Sequence, residues 1–63
     1  MSPVKQRVVE ERSELGARLG KLNAFIGTAP FLALAPLQRD LLDAQANVMQ
    51  RYLTILDERL QLM

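Results

Sequence analysis

The chain has 63 residues, of which 49% are hydrophobic, with no cysteine or histidine and a formal net charge of +1. A chain of this length forms one domain (residues 1–63), and its core alone seldom supplies more than about 3–5 kcal/mol. Without cysteine no disulfide can add to that stability, and without cysteine or histidine a zinc site is disfavoured. Association with further copies is the remaining common source, so we expect a homo-oligomer.

The same composition restricts the class of function. A net charge of +1 is far from the basic excess of a general DNA-binding protein. No apolar run approaches the roughly 20 residues of a membrane span, and we expect a cytoplasmic protein that binds neither DNA nor membrane. With no histidine or cysteine, few side chains are suited to catalysis. The composition therefore predicts a binding or assembly protein that is not an enzyme and needs no cofactor or metal.

The first predicted element is a long helix, from about Pro3 to Ile26. Ser2 is a good N-cap, and proline is favoured at the first helical position. Nothing interrupts the pattern before Gly27, a natural helix stop. Six apolar residues share a narrow stripe on this helix, suited to one partner helix: Val4, Val8, Leu15, Leu19, Leu22 and Ile26.

A structured connector and a second long helix complete the predicted fold. Thr28 can cap a short turn, and we expect Phe31, Leu32 and Leu34 to face inward as an apolar plug. Pro36 then opens a helix that can continue through Leu62, because no glycine or proline follows. The fold class is all-α, a helical hairpin of two long antiparallel helices joined by a short connector.

The second helix has two apolar lines. One contains Leu37, Leu41, Val48, Ile55 and Leu62; the other contains Leu42, Met49, Leu53, Leu56 and Leu60. Together they cover an arc of about 200°, roughly twice what one partner helix needs, so we expect neighbours of two kinds. Gln38, Gln45, Tyr52 and Arg59 follow the middle of this arc at seven-residue spacing. Such polar groups need partners across an interface or in a ligand.

We assign the interface between subunits to two sets of residues. On the first helix these are Gly16 and Gly20, whose small size would let another backbone approach closely. On the second helix they are Leu42, Met49, Tyr52, Leu53, Leu56 and Leu60. The remaining polar arc of that helix, which includes Asp57, is most simply a solvated outer face. Arg12 borders the apolar stripe, where it can snorkel or reach a second subunit.

Several segments resemble a family of small phage-encoded proteins, the anti-CBASS sponge proteins, over nearly the whole chain. They are Gln6-Arg7-Val8-Val9-Glu10-Glu11, Glu14-Leu15, Lys21-Leu22-Asn23-Ala24-Phe25-Ile26 and Met49-x-x-Tyr52-x-x-Ile55-Leu56-x-x-Arg59. The resemblance implies a helical hairpin assembled into a homohexamer in the cytoplasm of an infected bacterium. It implies sequestration, without cleavage, of the cyclic oligonucleotides of bacterial immunity, with cyclic dinucleotides bound between paired subunits and cyclic trinucleotides bound where three subunits meet.

The resemblance also implies ligand-binding residues. Lys21 matches the family's phosphate-contacting lysine, a point charge against a phosphodiester. Asn23 and Arg59 match a small polar residue and an arginine of the trinucleotide site. Gln6, beside Arg7, stands where the family's base-stacking aromatic is expected. Stacking is worth about 1–3 kcal/mol per base and glutamine cannot stack comparably, so the dinucleotide site is either lost or built from different contacts.

The resulting function is immune evasion by a non-enzymatic nucleotide-binding sponge. The alternative is a structural or regulatory helical adaptor that docks a protein partner through its second apolar face. A DNA-binding module ranks third, because the helices are too long for an ordinary helix-turn-helix and the basic residues do not form one stripe.

Overall fold

The computed structural model describes residues 2–63, which contain three helices and no strand: α1 (Pro3–Ile26), α2 (Ala29–Leu32) and α3 (Pro36–Gln61). α1 and α3 pack side by side along a rod of 45 × 14 × 13 Å. The predicted hairpin and its structured connector are confirmed. α3 ends at Gln61, one residue before the predicted end, with Leu62 as its cap.

The helix ends follow from local capping chemistry. The Ser2 hydroxyl accepts a hydrogen bond from the Lys5 backbone N–H at 3.1 Å, and Pro3 opens α1. The Thr28 hydroxyl donates to the Phe25 carbonyl at 2.6 Å and accepts from the Phe31 N–H at 3.4 Å. Thr28 therefore links the end of α1 to the start of α2, which is the turn-capping role expected of it.

The connector buries one aromatic side chain. Phe31 is buried, and its ring meets that of Phe25 edge-on at a centroid distance of 6.0 Å. Leu34 is half-buried. The prediction that Leu32 also faces inward is wrong, because Leu32 is 66% exposed. One turn of helix can direct only part of its surface inward, and Phe31 takes that part.

The core of the hairpin is a single seam between α1 and α3. Its buried or half-buried positions alternate at spacings of three and four residues, as in an antiparallel coiled coil. They are 5, 8, 12, 15, 19, 22 and 26 on α1, and 39, 42, 46, 49, 53, 56 and 60 on α3, and positions 16 and 57 are half-buried beside them. Val8, Leu15 and Leu56 form its centre, with Met49, Leu53 and Leu60 packed against them. Val4, predicted to belong to the stripe, is mostly exposed.

Candidate functional site

The two apolar lines of α3 have different roles in the structure. The line that contains Leu42, Met49, Leu53, Leu56 and Leu60 faces α1 of the same chain. Leu56 is 0% exposed there, so its assignment to an interface between subunits needs correction. The sequence showed two lines but not which of them the hairpin would use. Both lines are apolar, and which of them packs against α1 depends on the buried residues of α1.

The second line of α3 is not covered by any other part of residues 2–63. Leu37, Leu41, Val48, Ile55 and Leu62 are each more than half exposed, and Tyr52 beside them is 41% exposed. Exposed apolar surface on one face of a helix is typical of an interaction site. We name these six residues the outer line. It was predicted as one half of the 200° arc, but of the residues assigned to the subunit interface only Tyr52 belongs to it.

The glycines of α1 lie at the edge of the seam and beyond it. A Cβ atom on Gly16 would come 3.6 Å from Arg12 Nη1 and 3.9 Å from Leu53 Cδ1, which are ordinary contacts. A Cβ atom on Gly20 would meet nothing within 4 Å. No helix of this chain approaches Gly20 closely, so the small-residue surface of α1 stays a prediction about contacts outside the single hairpin.

Arg12 and Asp57 form the ion pair of the hairpin, the one found among residues 2–63. Arg12 Nε donates to Asp57 Oδ1 at 2.7 Å, and Arg12 Nη2 donates to Asp57 Oδ2 at 3.5 Å. Hydrogen bonding to Asp57, together with the negative charge of that carboxylate, raises the pKa of the Arg12 guanidinium above its ordinary value. The pair crosses the seam and supports its register.

The pair corrects two predictions. Arg12 reaches a carboxylate of its own chain rather than a second subunit, and Asp57 is half-buried against α1 rather than part of the solvated arc. The sequence signal that could have revealed the ion pair is the heptad position of Arg12 between Val8 and Leu15, both buried in the seam.

Arg39 likewise occupies a seam position, on α3, and its Nε is buried without a hydrogen-bond partner in the described chain.

The predicted ligand-binding residues form two groups at opposite ends of the rod. Lys21 and Asn23 are exposed on α1 near the connector. Gln6 and Arg7 lie about 20 Å away along the same helix, at 1.5 Å per residue. Arg59 belongs with Gln6 and Arg7, because the contact of Arg12 with Asp57 places this part of α3 beside the first turns of α1.

The local contacts of these residues leave most of them available. Gln6 donates to Glu10 Oε1 at 3.4 Å, a bond along its own helix. Lys21, Arg7 and Arg59 are exposed and take no part in an ion pair in the chain as described. No pocket is found among residues 2–63, and one hairpin does not bring the two groups of residues together. If both groups contact one ligand, more than one chain must contribute.

Comparison with known proteins gives one match. The family model described as Sequestin matches residues 2–62. The chain belongs to the Sequestin family. For this Sequestin chain, the family description indicates sequestration as the kind of activity. Searches of the curated proteins and of the solved structures find no match. No helix within residues 2–63 is long and apolar enough to cross a membrane.

Proposed function

We propose that this Sequestin chain binds cyclic oligonucleotide second messengers and sequesters them without cleaving them, as a homo-oligomer in an infected bacterial cell. The observation that carries the proposal is the Sequestin match over residues 2–62. A sequestering protein needs affinity and abundance but no reacting group, because it lowers the free concentration of the signal by mass action. The ligand class comes from the resemblance to the anti-CBASS sponges.

The exposed cations supply the chemistry that a phosphodiester requires. Lys21 has no carboxylate three or four residues away in the order that stabilises a helical pair, whereas Arg18 follows Glu14 by four residues. An unpaired ammonium group on a solvated helix is free to contact a phosphate oxygen. Asn23, two residues further on, adds an amide that can donate and accept hydrogen bonds.

Assembly is part of the proposal because one hairpin is too narrow to enclose a ligand. The outer line needs cover, and the cations at the two ends of the rod lie about 20 Å apart. Binding sites built where subunits meet would satisfy both conditions. We favour a hexamer, which is the state that the resemblance implies.

Replacing Lys21 with alanine tests the nucleotide contact. We expect the Lys21→Ala variant to bind a cyclic dinucleotide or trinucleotide on the order of tenfold more weakly in titration calorimetry, because a charge-assisted hydrogen bond is lost. Its mass by light scattering should not change. Arg18→Ala is the matched control, since it removes a cation one turn away on the same helix. Equal binding by Lys21→Ala and the unaltered protein would remove Lys21 from the site.

A second function is supported by the same outer line. An adaptor that docks a protein partner would also cover an exposed apolar face on α3. This reading leaves the lysine match without a role. If the purified chain takes up neither class of cyclic nucleotide, the adaptor becomes the better interpretation.

A further inference from the structure

The outer line of α3 is flanked by two opposite charges that have no partner in the hairpin. Arg51 and Glu58 are both exposed, seven residues apart, and neither takes part in an ion pair in the described part of the chain. Neither has an opposite charge three or four residues away along α3. Two turns separate them on one side of the helix, so they cannot pair with each other.

The outer line itself has the pattern of a coiled-coil seam. One set of core positions recurs every seven residues: Leu41, Val48, Ile55 and Leu62. The other set has the same spacing and lies three residues before Val48, Ile55 and Leu62: Gln45, Tyr52 and Arg59. In this heptad pattern Arg51 and Glu58 both occupy the position just before the residues Tyr52 and Arg59, at the edge of the seam. In an antiparallel helix pair, residues at this edge position of one helix face residues at the same edge position of the other. In such a helix pair, flanking charges set the orientation and register.

We propose that a second copy of this chain covers the outer line, with its α3 antiparallel to the first and Tyr52 of each copy opposite Ile55 of the other. In this register Arg51 of each copy lies within about two residues, or roughly 3 Å along the axis, of Glu58 of the other. A two-fold axis makes this ion pair occur twice. The pairing specifies the assembly within the proposed function and rests on it.

The charges disfavour the other arrangements of the same two helices. A parallel pair would place the two Arg59 side chains against each other and leave Arg51 and Glu58 without partners. An antiparallel pair shifted by one heptad, with Tyr52 opposite Val48, would bring the two Arg51 side chains together. Like charges at such positions destabilise a pair, and the proposed register avoids both clashes.

The area that this pairing would bury is close to that of a specific interface. In the proposed register, residues 45–62 of the two copies lie side by side. The large apolar side chains of this segment on the outer line are between 41% and 90% exposed in the single hairpin: Val48, Tyr52, Ile55 and Leu62. A large apolar side chain contributes on the order of 100 Å² to a contact. Four of them on each copy, with the aliphatic stems of Gln45 and Arg59, approach the roughly 1,000 Å² that distinguishes a biological interface from a crystal contact.

Charge reversal tests the register. We expect Arg51→Glu alone and Glu58→Arg alone each to raise the dissociation constant of the assembly about tenfold or more in sedimentation equilibrium, because both ion pairs become like-charge contacts. The double variant should recover the original value to within about threefold. Asp43→Arg, a reversal on the polar arc of α3, is the matched control. Failure of the double variant to recover, with helicity retained by circular dichroism, would overturn the register.

Cysteine cross-linking tests the orientation, since the natural chain contains no cysteine. A mixture of Gln45→Cys and Leu62→Cys chains should form a mixed disulfide on oxidation, because the proposed register places these residues opposite each other. Leu62→Cys alone should form little, since its two copies would lie about 25 Å apart. Efficient cross-linking of Leu62→Cys alone, or a monomer at micromolar concentration, would overturn the pairing. Calorimetry with cyclic nucleotides on the same samples reports the proposed function separately.

Discussion

The Leu56→Ala variant should lose most of the stability of the hairpin. Among residues 2–63, Leu56 is the one side chain that is wholly buried, and it packs with Val8 and Leu15 at the centre of the seam. Replacing a buried leucine with alanine costs about 2–5 kcal/mol, through lost apolar burial and the cavity that remains. A domain of this size has about 3–5 kcal/mol from its core, so the loss is comparable with the whole.

Thermal or urea unfolding followed by circular dichroism measures this effect. The free energy of unfolding should be compared at one protein concentration, because assembly adds stability that depends on concentration. Leu32→Ala is the matched control: it removes the same atoms from a side chain on α2 that is mostly exposed. Equal destabilisation by the two variants would show that the seam is placed wrongly.

The Val48→Lys variant should break the pairing of chains across the outer line while the hairpin stays helical. Val48 lies in the middle of the outer line and is 66% exposed in the hairpin, so a lysine there costs the isolated chain little. In the proposed pairing the same ammonium group would be buried opposite Arg59 of the other copy, a like charge, at a cost of several kcal/mol. We expect the dissociation constant to rise at least about a hundredfold.

Light scattering across a concentration series measures this change in mass. Thr54→Lys is the matched control, because Thr54 is also β-branched and exposed but lies on the polar arc, where its hydroxyl donates to the Gln50 carbonyl. Retention of the full assembled mass by Val48→Lys would show that the outer line is not the contact between copies. This variant tests the face itself, whereas reversal of Arg51 and Glu58 tests its register.

Much of the hairpin could be predicted from the sequence because its signals are local. Ser2, Pro3, Thr28 and Pro36 act within one turn of the helix ends they determine, and the capping bonds of Ser2 and Thr28 are present. Leu32 was misplaced because a single turn is too short for its periodicity to show which side faces the core.

The roles of the two lines on α3 could not be predicted, because they depend on a long-range choice. Both lines are apolar at helical spacing, and the sequence of α3 alone does not say which one α1 will cover. The contact of Arg12 with Asp57 joins residues 45 positions apart, and a search for pairs three or four residues apart cannot find it. Leu56 was consequently assigned to the wrong neighbour, and Asp57 to solvent.

The joint role of the candidate binding residues also could not be predicted from the sequence of one chain. Lys21, Asn23, Gln6, Arg7 and Arg59 were assigned as ligand-binding through the resemblance, and the structure shows them exposed and in two groups. Phosphate contacts made by several chains leave no periodic mark in one chain. Their joint role therefore remains a prediction about the assembled protein.

Titration of the purified protein with cyclic oligonucleotides tests the central claim most directly. We predict saturable heat with a cyclic dinucleotide, a cyclic trinucleotide or both, and a higher unfolding temperature at saturation. A ligand at a hundred times its dissociation constant adds about 2.7 kcal/mol to the native state. The nucleotide released afterwards by heat should be intact by chromatography. No heat and no thermal shift with either class, or recovery of a cleaved nucleotide, would contradict the proposal.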